Sequence, residues 1–487
     1  MSYKGGKNVN QFFVLNELFN RYIAPTKKKR DRFIGIEIEM PIINLDGDPV
    51  NFSVVHMLTH SFSAQFQMSP IGIDDDGHIY SLQNYENGDN LSYDCSYNNL
   101  EISMGKEKDI NVLYERFKTY YLFIQAFLNP YQHTLTGMGV NPYRKRNRCV
   151  PIPNERYRML FHYLGLYKNY THPDFFHSYP DFGTFSSASQ VQIDVDYSNL
   201  VNTINVFSKL EPIKALLFSN SVMPEDEKDM LCVRDMLWEN SMQGLNPKNI
   251  GMFERELTSV LDLFEYMKQT SLYCIIRNGK YINFAPIPVI EYFKKLQITG
   301  EFWNGKAYED ITFKPKIEDL EYLRTFKFED LTYRGTIEFR SCCCQPIAES
   351  MTIAAFHIGL FEALDELKTL LSNDHILYGH EMSTVELRKS FCHGKLPEFI
   401  DADELQHLVL SILDLARKGL DKRGFKEEHF LEPLYDRARR KTNPALEYLK
   451  ELKNGVPINE LIRRYADINK SYTAYETIAK NERLEKH

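Results

Sequence analysis

The chain has 487 residues, 43% of them apolar and 25% charged, which suffices for a substantial core, and its formal charge of -8 excludes an extended basic face for nucleic acid. No run of roughly 18 apolar residues is present, so no membrane span is expected, and Met1 to Gln11 lacks the apolar core and cleavage site of a secretory leader. Eight cysteines without a CxxC pair exclude a zinc ribbon and fit a reducing cytoplasm.

In chain order, Phe12, Leu15, Leu18, Phe19 and Tyr22 fall on one side of an amphipathic helix that Pro25 ends. The basic run Lys27 to Arg30 reads as a solvated linker into a strand from Phe33 to Met40, with contact to phosphates as the alternative. Short strands joined by Asp-, Asn- and Gly-rich turns occupy Ile71 to Ser103. Leu113, Phe117, Tyr121 and Ile124 then set a helix over Ile110 to Phe127, closed by Asn129 and Pro130. A strand near Ala188 to Val195 precedes two helical stretches either side of Pro212, which is placed to open the second. One more strand centres on Ile337. After it, Met351 to Leu371, Asp403 to Leu420, Phe430 to Arg440 and Pro444 to Leu452 read as helices, so an α+β fold is expected.

Four segments put polar groups on one face of a strand. Residues two apart point the same way, so Glu37 and Glu39 lie together while Ile36, Ile38 and Met40 face the core. Paired carboxylates repel unless a divalent cation or arginines lie between them; a solvated strand face is the other reading. Asp94 and Glu101 flank a turn at Tyr97, Asn98 and Asn99, where they either approach across the bend or form a polar hairpin. Gln190, Gln192 and Asp194 share a face opposite Val191, Ile193 and Val195. Those amides suit a polar ligand or metal support, or the wet side of an ordinary strand. Glu338 and Arg340 project together, as a structural pair or as a metal ligand beside a phosphate-binding arginine.

Carboxylates on neighbouring strands with arginines nearby are what an ATP–magnesium site without a P-loop needs, and the chain has neither GxxxxGK[ST] nor a convincing GxGxxG. Cys342, Cys343 and Cys344 read as small core-facing residues, with a redox or acceptor-binding role as the alternative. His162, His172 and His177 match no zinc signature and read as ordinary surface or core histidines. The pairs Tyr120–Tyr121 and Phe175–Phe176 read as core packing rather than base-stacking platforms.

The order and spacing of these segments resemble the glutamate–cysteine ligase family, whose fold is related to glutamine synthetase. Glu37 and Glu39 resemble its first metal-binding strand, and Asp94 and Glu101 its Asp-plus-Glu element. Gln190 and Gln192 stand in the strand that carries Gln or His in different branches. Phe218 to Ser221, followed by Arg234 and Trp238, is similar to its helix end and Arg-x-x-x-Trp segment, and Tyr333 to Arg340 to its last catalytic strand. Gly419 to Gly424 and Phe430 to Leu434 resemble its C-terminal helices, so the likeness runs from about residue 30 to about 450.

The resemblance implies a glutamine synthetase-like antiparallel sheet lining the site, packed with helices. It implies an N-terminal helix and linker over residues 1–30, an ATP- and magnesium-dependent catalytic core over 31–348, and a helical region over 349–487 in the same unit. The implied reaction joins the γ-carboxylate of glutamate to the amine of cysteine through an acyl phosphate, as in glutathione biosynthesis. The alternatives are another amine or amino acid as acceptor, or a non-catalytic regulatory homologue that binds nucleotide or amino acid. By the same resemblance Glu37, Glu39, Asp94, Glu101 and Glu338 hold Mg2+ or Mn2+, Gln190 and Gln192 sit by metal and nucleotide, and Arg334 contacts the nucleotide. Arg234 and Arg340 would neutralise the substrate carboxylate and the transferring phosphate. The partners implied are small molecules, not nucleic acid or membrane, and the oligomeric state is left open. Two departures concern the acceptor: Cys342 to Cys344 follow Arg340 where many members have an acidic residue, and Gln192 stands where plant-like members carry Asn.

Overall fold

The computed structural model describes residues 11–469; residues 1–10 and 470–487, the outer ends of the first and last expected regions, lie outside the described residues. The central strand, Ile34–Asn44, exists because Ile34, Ile36, Ile38 and Met40 alternate with Gly35, Glu37 and Glu39, giving one apolar face and one polar face. It sits in a nine-stranded antiparallel sheet. From one edge to the other the strands are Glu329–Leu331, Thr336–Phe339, Ser189–Asp194, Ile34–Asn44, Asn99–Glu107, Asn90–Tyr93, Ile79–Gln83 and Ser69–Ile73. His133–Leu135 pairs with the far end of the central strand, at Ile42 to Asn44.

Helices Ile110–Leu128, Leu200–Phe218, Thr352–Glu362 and Ala402–Arg423 complete the core with this sheet. Ile36, Ile38, Phe207, Phe339 and Phe356 are each at most 2% exposed in it, and burying each such side chain contributes about 1.5–3 kcal/mol. Thr352–Glu362 and Ala402–Arg423 approach so closely that a Cβ on Gly419 would stand 1.8 Å from the Gly359 carbonyl oxygen. Only glycine at both positions permits that approach.

Several elements differ from expectation. The N-terminal helix runs Gln11–Leu18, then loosens to a π turn over Phe19–Ile23 and a 3-10 turn over Ala24–Lys27. The buried side is Val14, Leu18, Tyr22 and Ile23, and Phe12 is 78% exposed. Arg30 is not part of a solvated linker: its guanidinium donates to Asp194 at 2.5 Å and to the Arg334 carbonyl at 3.0 Å. Pro212 lies inside one continuous helix, Leu200–Phe218, because full burial of Leu210 and Ile213 on either side outweighs one lost backbone hydrogen bond. The stretch from Met351 divides at Ala363 into Thr352–Glu362 and Leu364–Ser372. Tyr120 and Tyr121 are buried, whereas Phe175 is exposed.

A second, four-stranded sheet was not anticipated: Ser271–Arg277, Lys280–Pro288, Ile298–Trp303 and Tyr308–Phe313. Its first hairpin turns at Asn278 and Gly279, with φ of 51° and 75°. A two-stranded parallel pair, Ile250–Gly251 with Phe326–Lys327, lies outside both sheets. Among the described residues no single helix is long and apolar enough to cross a membrane.

Candidate active site

The polar face of the large sheet carries a row of carboxylates and amides drawn from four neighbouring strands. Register puts Glu39 opposite Glu101, Glu37 opposite Gln190, and Glu338 opposite Gln192. The Gln190 amide donates to Glu39 Oε1 at 3.1 Å, and Gln192 donates to Glu37 Oε1 at 2.9 Å and Glu338 Oε1 at 3.0 Å. Glu39 also accepts the Ala188 backbone N–H at 2.6 Å, and Ser103 donates to Glu101 Oε1 at 2.6 Å. These amides fix the rotamers of acids that would otherwise splay apart. Asp94 joins from the turn after Asn90–Tyr93, where Cys95 takes a left-handed φ of 60°, a costly conformation for a residue with a side chain.

Facing the row is a cavity of about 430 Å³, closed by the small sheet and by helices Glu155–Gly165 and Val233–Glu239. Glu37, Glu39, Asp94, Glu101, Gln190, Arg234 and Arg340 line it. Gln192, Glu338 and Arg334 do not; they form a network beside the row, with Arg334 donating to Gln192 Oε1 at 2.7 Å. Arg340 connects the two groups by donating to Glu338 Oε2 at 2.6 Å. Both oxygens of Glu338 are therefore engaged, as are both oxygens of Glu39. Asp194, on the same strand face as the glutamines, is taken by Arg30.

Burial, followed by the charges of Glu338 and Glu101, pushes the Glu37 carboxyl up to about 8. Burial and Asp94 raise Glu39 to about 7, and burial with Asp94 and Glu39 raises Glu101 to about 8. Asp94 is raised by burial too, against the pull of Arg156. Acids that raise one another across a sheet are an all-oxygen donor set suited to hard divalent cations, and Gln190 adds a buried Oε1 with no hydrogen-bond partner. The acids form a row, not a knot. Among the described residues only Cys232, Asp235 and Cys392 bring three metal-type ligand atoms within 4.8 Å of one another, and Arg388 already holds Asp235 at 2.7 Å.

The two arginines expected to act are held differently. Burial works against the charge of Arg340, but Glu338, Asp330 and Glu37 sustain it. Arg234 donates from Nη1 to the Cys342 carbonyl at 3.0 Å, and its buried Nε has no partner. The three consecutive cysteines are at most 2% exposed: the Cys342 carbonyl accepts from Arg234, the Cys344 carbonyl accepts from Asn220 at 2.6 Å, and the Cys343 thiol donates to Ser221 Oγ at 3.2 Å. His162 pairs with Glu301 at 2.9 Å, His177 with the Leu237 carbonyl at 2.7 Å, and His172 is exposed. Arg156, Arg324, Gln243 and the ring wall of Trp238, Tyr281 and Phe326 also line the cavity and were not singled out from the sequence. Among them only Arg156 had a local cue, standing two residues after the Asn154 cap of its helix.

No protein-family model matches the chain. Over 283 residues it is 26% identical to the chloroplastic glutamate–cysteine ligase of Nicotiana tabacum, covering 54% of this chain and 49% of that protein. Over 337 residues it is 23% identical to the Brassica juncea glutamate–cysteine ligase, covering 66% and 58%. The chain is similar in sequence to glutamate–cysteine ligases. It spans about half the length of the curated glutamate–cysteine ligases it matches. Among solved structures, a Francisella tularensis glutamate–cysteine ligase in complex with AMP aligns at TM-score 0.42 and 11% identity, over 92% of this chain and 90% of that one. A bifunctional glutathione synthetase from Pasteurella multocida aligns at TM-score 0.42 and 12% identity, over 94% and 53%.

Proposed function

We propose that the chain is an ATP-dependent carboxylate–amine ligase that activates the γ-carboxylate of glutamate and joins it to the amine of an amino acid, with cysteine as the acceptor its relatives' names supply. The observation that carries this reading is the row of mutually raised acids along one wall of a cavity that also holds Arg234 and Arg340. Such a row supports phosphoryl transfer, which depends on positioning and charge stabilisation rather than on a protein nucleophile.

In this reading a γ-carboxylate oxygen attacks the terminal phosphorus of ATP, the bond to the ADP oxygen breaks, and γ-glutamyl phosphate forms. The amine then attacks the acyl carbon, the bond to the phosphate oxygen breaks, and the amide, inorganic phosphate and a proton are released. Glu37, Glu39, Asp94 and Glu101, with Glu338 adjoining, would hold magnesium or manganese, which would supply neutralisation of the ATP phosphates. Gln190 and Gln192 keep those carboxylates oriented through the hydrogen bonds described above. Arg340, steadied by Glu338, and Arg234, steadied by the Cys342 carbonyl, offer fixed guanidinium donors where negative charge develops. Arg334 adds a nucleotide contact on the Gln192 side.

The test is ADP release by the purified protein with ATP, magnesium and glutamate across a panel of amines, with the product weighed by mass spectrometry. Amine-dependent ADP release and a product equal to the two substrates less water support the ligase. ATP binding without turnover on any amine moves the reading to a regulatory homologue.

A further inference from the structure

Arg388 stands directly behind the cavity without lining it, on the helix Thr384–Cys392, well after the last strand of the large sheet. It is 3% exposed, and its whole guanidinium fork is engaged. Nε and Nη2 grip the two carboxylate oxygens of Asp235 at 2.7 and 3.1 Å, and Nη2 also donates to the Ser341 carbonyl at 3.4 Å. Nη1 donates to Glu211 Oε2 at 2.6 Å and to the Glu211 carbonyl at 2.8 Å. The guanidinium lies over the Phe328 ring, 4.6 Å from its centre.

Asp235, Ser341 and Phe328 all line the cavity, and each is tied to an arginine of the site. Asp235 follows Arg234 on helix Val233–Glu239, and Ser341 follows Arg340, whose backbone N–H donates to the Phe328 carbonyl at 3.0 Å. Ser341 also donates to Glu211 Oε1 at 3.0 Å, which brings its segment back to the same fork. Asp235 is not left over for a substrate: besides Arg388, the thiols of Cys232 and Cys392 donate to its oxygens at 3.5 and 3.4 Å. Burial works to raise the Asp235 carboxyl, but Arg388 holds it below its ordinary value, so the pair is ionic. A well-packed apolar side chain stabilises a buried position as well as an ion pair does. What it cannot supply is a planar fork of fixed shape that joins two segments. Arg234 and Arg340 carry like charges, which part unless their backbones are held.

We propose that Arg388 is a positioning residue for the ligase reaction: its fork fixes the spacing of the two segments that present Arg234 and Arg340, so that both guanidiniums meet the transferring phosphoryl group. The inference rests on the ligase reading. Arg388→Lys tests it, because lysine keeps the buried charge but concentrates it at one atom, which cannot span Asp235, Glu211 and Ser341 together. ADP release is measured with ATP, magnesium, glutamate and the best amine of the panel. In Arg388→Lys kcat should fall about a hundredfold while the KM values for ATP and glutamate move less than about threefold, as misplacement of groups that act in the transition state predicts. Its urea midpoint should nevertheless exceed that of Arg388→Met, since the charge is kept, so stability and kcat separate. Asp235→Asn loosens the same contact from the cavity side and should show the same loss of kcat. The double variant should fall no further than the worse single one. A wild-type kcat in Arg388→Lys with a lowered midpoint would make Arg388 structural support only and overturn the proposal. A loss carried by KM, or losses that multiply in the double variant, would overturn it too. Should Arg388→Lys not fold, the split between kcat and KM in Asp235→Asn decides alone. A wild type that releases no ADP with any amine removes the ligase reading and the positioning role with it.

Discussion

Replacing Glu37 by glutamine takes one charge out of the row while keeping its shape, since the amide oxygen still accepts from Gln192. In metal-free protein the Glu37 carboxyl is pushed up to about 8 from the ordinary 4.5, by burial first and then by Glu338 and Glu101. The sign follows from linkage. A group raised on folding contributes its full stability below the unfolded value, near 4.5, and loses it as pH climbs through the folded value, near 8. At about 1.4 kcal/mol per pH unit the loss reaches about 3 kcal/mol by pH 7; Glu37 keeps some contact with cavity water, so about half of that is expected. Glutamine does not titrate. With a chelator present, Glu37→Gln should therefore exceed the wild type by about 1.5 kcal/mol at pH 7, with a larger gap at pH 8 and a smaller one at pH 5. Urea midpoints at pH 5, 6, 7 and 8 read this directly, and adding magnesium should stabilise the wild type more than the variant. A gap that stays constant or shrinks as pH rises would refute the electrostatic account of the row.

Three further outcomes follow from the same geometry. Glu338→Ala and Glu37→Ala should each abolish ADP release while far-ultraviolet circular dichroism stays that of the wild type; near-normal turnover in both would remove these acids from the site. Arg388→Met should cost about 3–5 kcal/mol in guanidinium unfolding, because it strands Asp235, held at 2.7 Å in the interior, and leaves Glu211, held at 2.6 Å, to the charge of Lys214 alone. Gly419→Ala should cost about 1–3 kcal/mol in the same assay, since its Cβ would force Ala402–Arg423 away from Thr352–Glu362, and a neutral result would mean that the two helices separate freely.

The row of acids was legible because strands keep a period of two: Glu37, Glu39, Gln190, Gln192 and Glu338 each alternate with an apolar partner, so their shared face can be read residue by residue. What the period cannot reveal is which strands become neighbours. The pairings of Glu39 with Glu101 and of Glu338 with Gln192 depend on the order of strands across the sheet. The hairpin at Asn278 and Gly279 carries a strong local signal, a dipeptide able to take positive φ at both positions, but that signal marks a turn and not the sheet its strands join. Arg156, Arg324 and Gln243 had no comparable signal. Each comes from an element that is ordinary by itself and reaches the cavity only through packing of the small sheet against Glu155–Gly165. Pro212 shows the opposite failure, a strong local signal overruled by the burial of its neighbours.

The strand order across the large sheet has a consequence for how the chain is made. The central strand Ile34–Asn44 leaves the ribosome before its neighbours and pairs on one side with Asn99–Glu107, but its other side waits for Ser189–Asp194. At the usual pace of synthesis that wait is roughly ten to thirty seconds, during which an apolar strand edge stands open. Thr336–Phe339, which adds Glu338, follows later still. Crowded ribosomes bring such edges from neighbouring nascent chains together, so slowing expression, by lower temperature or a weaker promoter, should raise the soluble yield more than adding substrate does.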